Sequence, residues 1–448
     1  MVQEILLRIN QHFKLQKLVF SRLNNRRFWR NSGLLLLANI IVIALGIIRT
    51  PAITWMLPKD EVGMVGVVAS WLPFLQLLSL SGLDGASYHY VAKGQPWAFR
   101  VNLIHRLRWS LLSSAGYIVG AVLWARSGNT PLAWMFVIAG ISYPITIGLS
   151  ATSGMLGAQE RYTGLFWYRI FESLTDFTGF IPLLFSVWWV SMVVTFYASN
   201  QIATAIMLVG LSVLFLHELN RDHEPMPVQD QKEMLSYGKH LTVMNGFGVL
   251  QTRTDSLLVG TLLPLGVMAD FSIALLVYEQ LKRLWNVYVT VRYPPLVKLP
   301  LHRRQRRILL EGAAAVLLFL GMAIGISLAS HLLIPIVLPA SYISSLKYID
   351  WLIFAFVFSV PGFMAEIYFR TQQDERHLYM IRGAAAVIGS ITPAVLITSI
   401  GVNGIAIGRF LSAGMLSVFG LYLFRSEYIH SHAVEESVDI TTEEHDEI

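Results

Sequence analysis

There is no cysteine among the 448 residues, which excludes disulfides and any thiolate metal site. Charge is scarce too. Only 14% of the residues are Asp, Glu, Lys or Arg, whereas a soluble domain carries about 25% because its surface must be solvated. No phosphate-cradling Gly-Lys-Ser/Thr loop occurs, which removes ATP hydrolysis of that type from the candidate activities. The first 30 residues lack a short apolar run followed by a small-residue cleavage site, so they do not read as a secretory signal.

What is present is apolar residue in long blocks. Hydrophobic residues make up 54% of the chain, and the mean hydropathy is +0.56. The apolar stretches predict spans at 33–55, 63–83, 109–126, 132–155, 166–186 and 192–216, then at 239–262, 267–290, 309–331, 349–369, 383–400 and 404–424. The expected fold is an all-α polytopic membrane protein of about twelve transmembrane helices. Residues 1–30 carry Arg8, Lys14, Lys17, Arg22, Arg26, Arg27 and Arg30 alternating with Leu6, Ile9, Phe13, Leu18 and Val19. That pattern admits either an interfacial helix on the cytoplasmic leaflet or a solvated basic tail. From about Arg425 the chain turns acidic (Glu435, Glu436, Asp439, Glu443, Glu444) and reads as a disordered tail, 425–448.

The basic isoelectric point of 9.4 would suit nucleic acid, but the positions of the charges argue otherwise. With both termini cytoplasmic, only Lys59, Arg126 and Lys347 fall in outer loops, and Arg49, Arg253 and Arg409 fall inside spans. All other Lys and Arg lie on the inner side, as the positive-inside rule requires of an even number of spans. The expected setting is a bacterial inner membrane, with no nucleic-acid partner. Trp55, Trp71, Trp188, Trp189 and Trp351 sit at or near span ends and read as an interfacial belt.

The chain also repeats itself. A shift of 206 residues lays Asn39 on Asn245, Arg49 on Asp255, Thr50 on Ser256 and Leu57-Pro58 on Leu263-Pro264. Gln159-Glu160-Arg161-Tyr162 and Gln373-Asp374-Glu375-Arg376 follow in the same order. Six spans per unit is an even number, so the halves run parallel, as two six-helix lobes related by a pseudo-twofold axis along the membrane normal. The lobes are expected at 31–217 and 239–424, joined by a cytoplasmic linker at 218–238.

Several segments carry a family resemblance. Ser236-Tyr237-Gly238, Arg253-Thr254-Asp255-Ser256-Leu257-Leu258-Val259-Gly260 and Phe271-Ser272-Ile273-Ala274 resemble the seventh and eighth helices of Wzx-type polysaccharide flippases. These belong to the multidrug/oligosaccharidyl-lipid/polysaccharide exporter superfamily. Leu83-Asp84-Gly85-Ala86 with Tyr90-Val91-Ala92, Ile334-Pro335 with Tyr342, and Gly401-Val402-Asn403-Gly404-Ile405-Ala406 agree with it. The resemblance implies lobes forming a V around a central cavity. It further implies transfer of a polyprenyl-diphosphate-linked oligosaccharide to the outer leaflet, with membrane lipid and polysaccharide polymerase machinery as partners. No cofactor is implied.

Charges inside spans are costly, so they mark cavities or ion pairs. Arginine's forked donors match phosphate oxygens, which makes Arg49, Arg253 and Arg409 candidates for the headgroup diphosphate. For Arg49 and Arg253 the rival reading is ion pairing, and for Arg409 it is snorkelling to the outer interface. Arg253 and Asp255 point about 200° apart on a helix and cannot readily pair; Arg49 and Asp255, at equivalent repeat positions, would be able to meet across the axis. Arg169, Glu172 and Asp176 form one polar helix face, which reads either as a gate or coupling site or as an inner-end salt-bridge cluster against the fourth helix. Asp255, Asp176 and Glu172 are the candidate coupling or gating groups. Glu366–Arg370 and Glu279 with Lys282 and Arg283 read as local ion pairs, and Asp84 and His89 as loop hydrogen-bonding groups. A multidrug or cation antiporter is the rival function, disfavoured because arginines repel a cationic substrate. A membrane oligosaccharide polymerase or ligase is the next, disfavoured by short outer loops without paired carboxylates or histidine clusters. The reading is therefore of a transporter, not an enzyme.

Overall fold

The computed structural model describes residues 26–187, 189–222, 225–297, 299–372 and 374–446. Most of the basic segment 1–30, and Trp188, lie outside the described residues. The helices are α1 (Arg26–Met56), α2 (Lys59–Leu78), α3 (Leu83–Ala92), α4 (Ala98–Arg126), α5 (Thr130–Thr146), α6 (Thr152–Ala158), α7 (Tyr162–Thr175) and α8 (Phe180–Leu184). They continue with α9 (Met192–Asp222), α10 (Val228–Leu262), α11 (Leu265–Val297), α12 (Leu301–Val337), α13 (Ser345–Gln372), α14 (Glu375–Ile400) and α15 (Val402–Asp446). No strand occurs among the described residues. Large apolar side chains such as Ile47, Leu184, Phe185, Leu328, Ile336 and Val418 are exposed, a surface that only lipid satisfies. Seven described helices are long and apolar enough to cross a bilayer. Others, α10 and α11 among them, carry Arg253, Asp255, Glu279, Lys282 and Arg283, which lower their hydropathy. The chain is an all-α polytopic membrane protein.

The repeat is visible in the element ends. Helix α1 stops at Met56 and α10 at Leu262; α2 starts at Lys59 and α11 at Leu265. Both pairs share the 206-residue shift, and each break precedes a proline, Pro58 or Pro264, which disfavours helix in the residue before it.

Packing groups the chain into two compact units. Unit 1 holds the residues up to Ala52 together with Leu78–Thr242, and unit 2 holds Ile53–Leu77 and the residues from Val243. Small residues explain why α2 packs with α10 and α11. A Cβ on Gly63 would lie 2.0 Å from the Leu265 carbonyl oxygen, and one on Gly66 would lie 2.3 Å from Ser272 Oγ. Such contacts let helix backbones approach where no water is present to drive association. Lys59 Nζ adds an ion pair to Asp270 at 2.8 Å and a hydrogen bond to the Ser341 carbonyl. Trp55, mostly exposed, donates from Nε1 to the Val337 carbonyl at 2.9 Å.

In unit 1 the core gathers Phe99, Leu103, Met155, Leu165, Tyr168 and Leu208. The first half of α10 joins it through Met234, and further along the Thr242 hydroxyl accepts from the Gly82 N–H at 3.0 Å. In unit 2 the core is aromatic. Trp285, Phe319, Phe356 and Phe363 pack with ring centroids 5.4–5.8 Å apart, each such pair contributing about 1 kcal/mol.

Several boundaries depart from expectation. Helix α4 begins eleven residues before the expected 109. The span expected at 132–155 is interrupted between α5 and α6, just after Pro144, and that at 166–186 between α7 and α8. Helix α15 continues to Asp446 where a disordered tail was expected, and no glycine or proline after Gly420 interrupts it.

Candidate functional site

In unit 1, α1 and α7 are tied by two polar contacts. Arg49 Nη1 lies 2.9 Å from Asp176 Oδ2, and Arg169 Nη1 donates to Asn39 Oδ1 at 2.6 Å. Asp176 caps the C-terminal end of α7, where the span breaks before α8. The break has its own support: the Gly179 N–H donates to Asn200 Oδ1 of α9 at 2.6 Å. A Cβ at Gly179 would meet Phe196 and Asn200 at 2.6–2.7 Å, so only glycine fits there. One turn before Asp176, Glu172 accepts from the Tyr168 hydroxyl at 3.4 Å. Glu172 and Asp176 therefore share a face, and the partners of Arg169 and Asp176 are on α1 rather than on the fourth predicted helix. The Arg49 and Asp176 side chains are 30% and 44% exposed.

In unit 2, Arg253 and Asp255 part as their helical spacing requires. Arg253 Nη2 lies 2.7 Å from Glu279 Oε1 of α11, with both side chains near 30% exposure. Glu279 thus engages a residue of another helix, not Lys282 or Arg283 as expected. Asp255, 2% exposed, has Arg409 Nη2 of α15 3.1 Å away. The Arg409 N–H groups aim at the carbonyls of Gln251 (3.1 Å) and Thr252 (3.2 Å), and its Cζ sits 5.4 Å over the Tyr278 ring. Arg409 is thereby engaged on three sides, 9% exposed. Asp255 pairs within its own unit with Arg409, and Arg49 within its own with Asp176.

Sequence reasoning missed one buried arginine and its carboxylate partner. Arg106, 1% exposed, donates to both Asp84 oxygens at 2.5–2.6 Å and to Ser150 Oγ at 3.2 Å, while Asn102 Nδ2 donates to Asp84 at 3.1 Å. The early start of α4 moves Arg106 from a loop into a helix. The signal was there in Phe99, Leu103, Arg106, Ser110, Ser113, Tyr117 and Gly120, a buried stripe of helical period. Glu366 does pair locally with Arg370 at 2.8 Å, and Arg382 joins it at 2.6 Å.

Two arginines, Arg49 and Arg253, are thus partly exposed and each held by a single carboxylate, whereas Arg409 and Arg106 are buried, Arg409 against a buried carboxylate and Arg106 against one that is 41% exposed. Paired charges within apolar helices are costly and mark these positions as a candidate functional region of a polytopic membrane protein. The chain belongs to the polysaccharide biosynthesis protein family, whose model matches residues 28–299. No curated relative matches the chain in sequence. Among solved structures it resembles the lipid II flippase MurJ in an inward closed conformation, with a TM-score of 0.62, 12% identity, and 88% of this chain and 87% of that one covered. It also resembles an inward-facing multidrug resistance MATE family transporter of the MOP superfamily, with a TM-score of 0.58, 12% identity and 85% and 98% covered. A MOP superfamily transporter from Pyrococcus furiosus gives a TM-score of 0.51 at 12% identity, with 90% and 94% covered. These likenesses show the fold.

Proposed function

We propose that this chain is a flippase that moves a polyprenyl-diphosphate-linked oligosaccharide from the cytoplasmic to the outer leaflet of a bacterial inner membrane by alternating access. Family membership and the MurJ-like fold support the substrate class. The observation that carries the reading is the pair of partly exposed arginines, Arg49 and Arg253, each restrained by one carboxylate. An arriving diphosphate offers more acceptor oxygens than Asp176 or Glu279 and exchanges for them at the guanidinium. Protonation of the displaced carboxylate lowers the cost of that exchange, so Asp176 with its neighbour Glu172 is the coupling group of unit 1. Asp255, locked to Arg409, positions α15 against α10 instead. Polymerase machinery would take the product on the far side.

A multidrug antiporter shares the fold, but arginines at the site repel a cation. The test is complementation of a deletion strain. The strain should accumulate lipid-linked repeat units in the inner leaflet, and Arg49→Ala should fail to restore surface glycan although it is made and folded. Normal glycan with Arg49→Ala, or a changed drug susceptibility with normal glycan in the deletion strain, would overturn the reading.

A further inference from the structure

Unit 2 contains an apolar groove of about 170 Å³, lined by Leu309, Ala313 and Val316 of α12, Met364 of α13, and Leu421 and Phe424 of α15. A missing side chain opens it: a Cβ on Gly312 would meet nothing nearer than Met364 Cγ at 3.6 Å. Beyond one end of it, Gln305 Nε2 donates to the Tyr368 hydroxyl at 2.8 Å and Tyr368 packs edge-on against Phe424 of the lining.

Two arginines continue the groove's own stripes past that end. Leu309, Ala313 and Val316 stand three, seven and ten residues after Arg306, so they share its helix face. Leu421 stands four before Arg425. Both arginines are exposed, and neither makes an ion pair among the described residues. Their neighbours are committed: Arg307 pairs with Glu311, Arg370 with Glu366, and Arg304 donates to the carbonyls of Val297, Leu299 and Thr371. An apolar slot ending at two unpaired cations on different helices matches a molecule with one alkyl chain alongside a negative headgroup.

We propose that this groove binds one acyl chain of an anionic phospholipid, with the phosphate between Arg306 and Arg425. A helix about 10 Å across would not enter so small a cleft, whereas an unbranched chain fits without methyl branches to place. The groove's lining includes none of the arginines proposed for the transported headgroup.

The experiment is native mass spectrometry of the full chain released from nanodiscs of phosphatidylglycerol and phosphatidylethanolamine. Phosphatidylglycerol should be retained preferentially. Arg306→Gln with Arg425→Gln should lower its retention about thirtyfold, as loss of two basic groups near an anionic headgroup predicts, without changing phosphatidylethanolamine. Gly312→Leu, which fills the slot, should reduce both. Arg303→Gln, exposed on α12 but off the groove's stripe, should change neither. Equal retention of the two lipids, an equal loss with Arg303→Gln, or displacement of phosphatidylglycerol by equimolar polyprenyl phosphate would overturn the assignment. Because binding is read without transport, failure here leaves the flippase reading standing.

Discussion

The three intramembrane arginines differ in what would happen on their removal. Arg49 and Arg253 each hold a partly exposed carboxylate, which water or a proton can satisfy when the arginine is gone. Arg409 is the counter-charge of a carboxylate with 2% exposure. Arg409→Ala should therefore cost about 3–5 kcal/mol, the usual consequence of stranding a buried charge. A large drop in melting temperature or in folded yield from detergent is the measurement. The double variant Asp255→Leu/Arg409→Met should recover most of that loss, because an apolar pair of similar volume replaces a buried ion pair at little net cost. No recovery would mean that Arg409 matters for its carbonyl contacts and not for its charge. At this scale the sequence showed that Arg253 and Asp255 must face apart, because helical spacing is a local property. It could not show that their partners are Glu279 and Arg409, which lie 26 and 154 positions away and meet them only after folding.

At the level of elements, apolar length located most helices but not their interruptions. The break between α7 and α8 falls inside a run that reads as one span, because the Asn200 side chain and the space for Gly179 come from packing with α9. Asn200→Leu removes the acceptor for a buried N–H and should destabilise the break by about 1–3 kcal/mol. If the break positions Asp176, transport should fall further than stability alone predicts; unchanged transport would separate the two. The loop before α14 gives a prediction with a pH sign. Burial alone would raise the Asp374 carboxyl, but hydrogen bonds from the His377 N–H and ring, with its charge, outweigh that and hold it below the usual range. Since the folded value is depressed, its contribution is present above the ordinary carboxylate range. It is lost as pH falls through the folded value. Asp374→Ala removes the cap of α14 and should cost about 1 kcal/mol near neutrality. The variant and the parent should converge in melting temperature as the pH is lowered. Persistence of the full gap in acid would show that the cap acts through shape alone.

For the whole molecule, orientation decides what each of these sites can do. The orientation we propose from the distribution of Lys and Arg has both termini in the cytoplasm, with the linker around Gln229 inside and the α4–α5 turn at Ser127 outside. The chain's lack of cysteine makes this directly measurable, since one introduced thiol is the only one present. Ser127, exposed, with its hydroxyl donating to the Trp124 carbonyl one turn back, and Gln229, exposed near the start of α10, are the sites to replace. In intact spheroplasts, Ser127→Cys should react with a membrane-impermeant maleimide, and Gln229→Cys should react only after permeabilisation. The reverse pattern would place Arg306 and Arg425 at the outer leaflet and invert the direction of transfer. It would also leave the basic residues of the loops on the side where they oppose insertion. The same two labels thus test the direction assigned to Arg49 and Arg253 and the leaflet from which a phospholipid reaches the groove of unit 2.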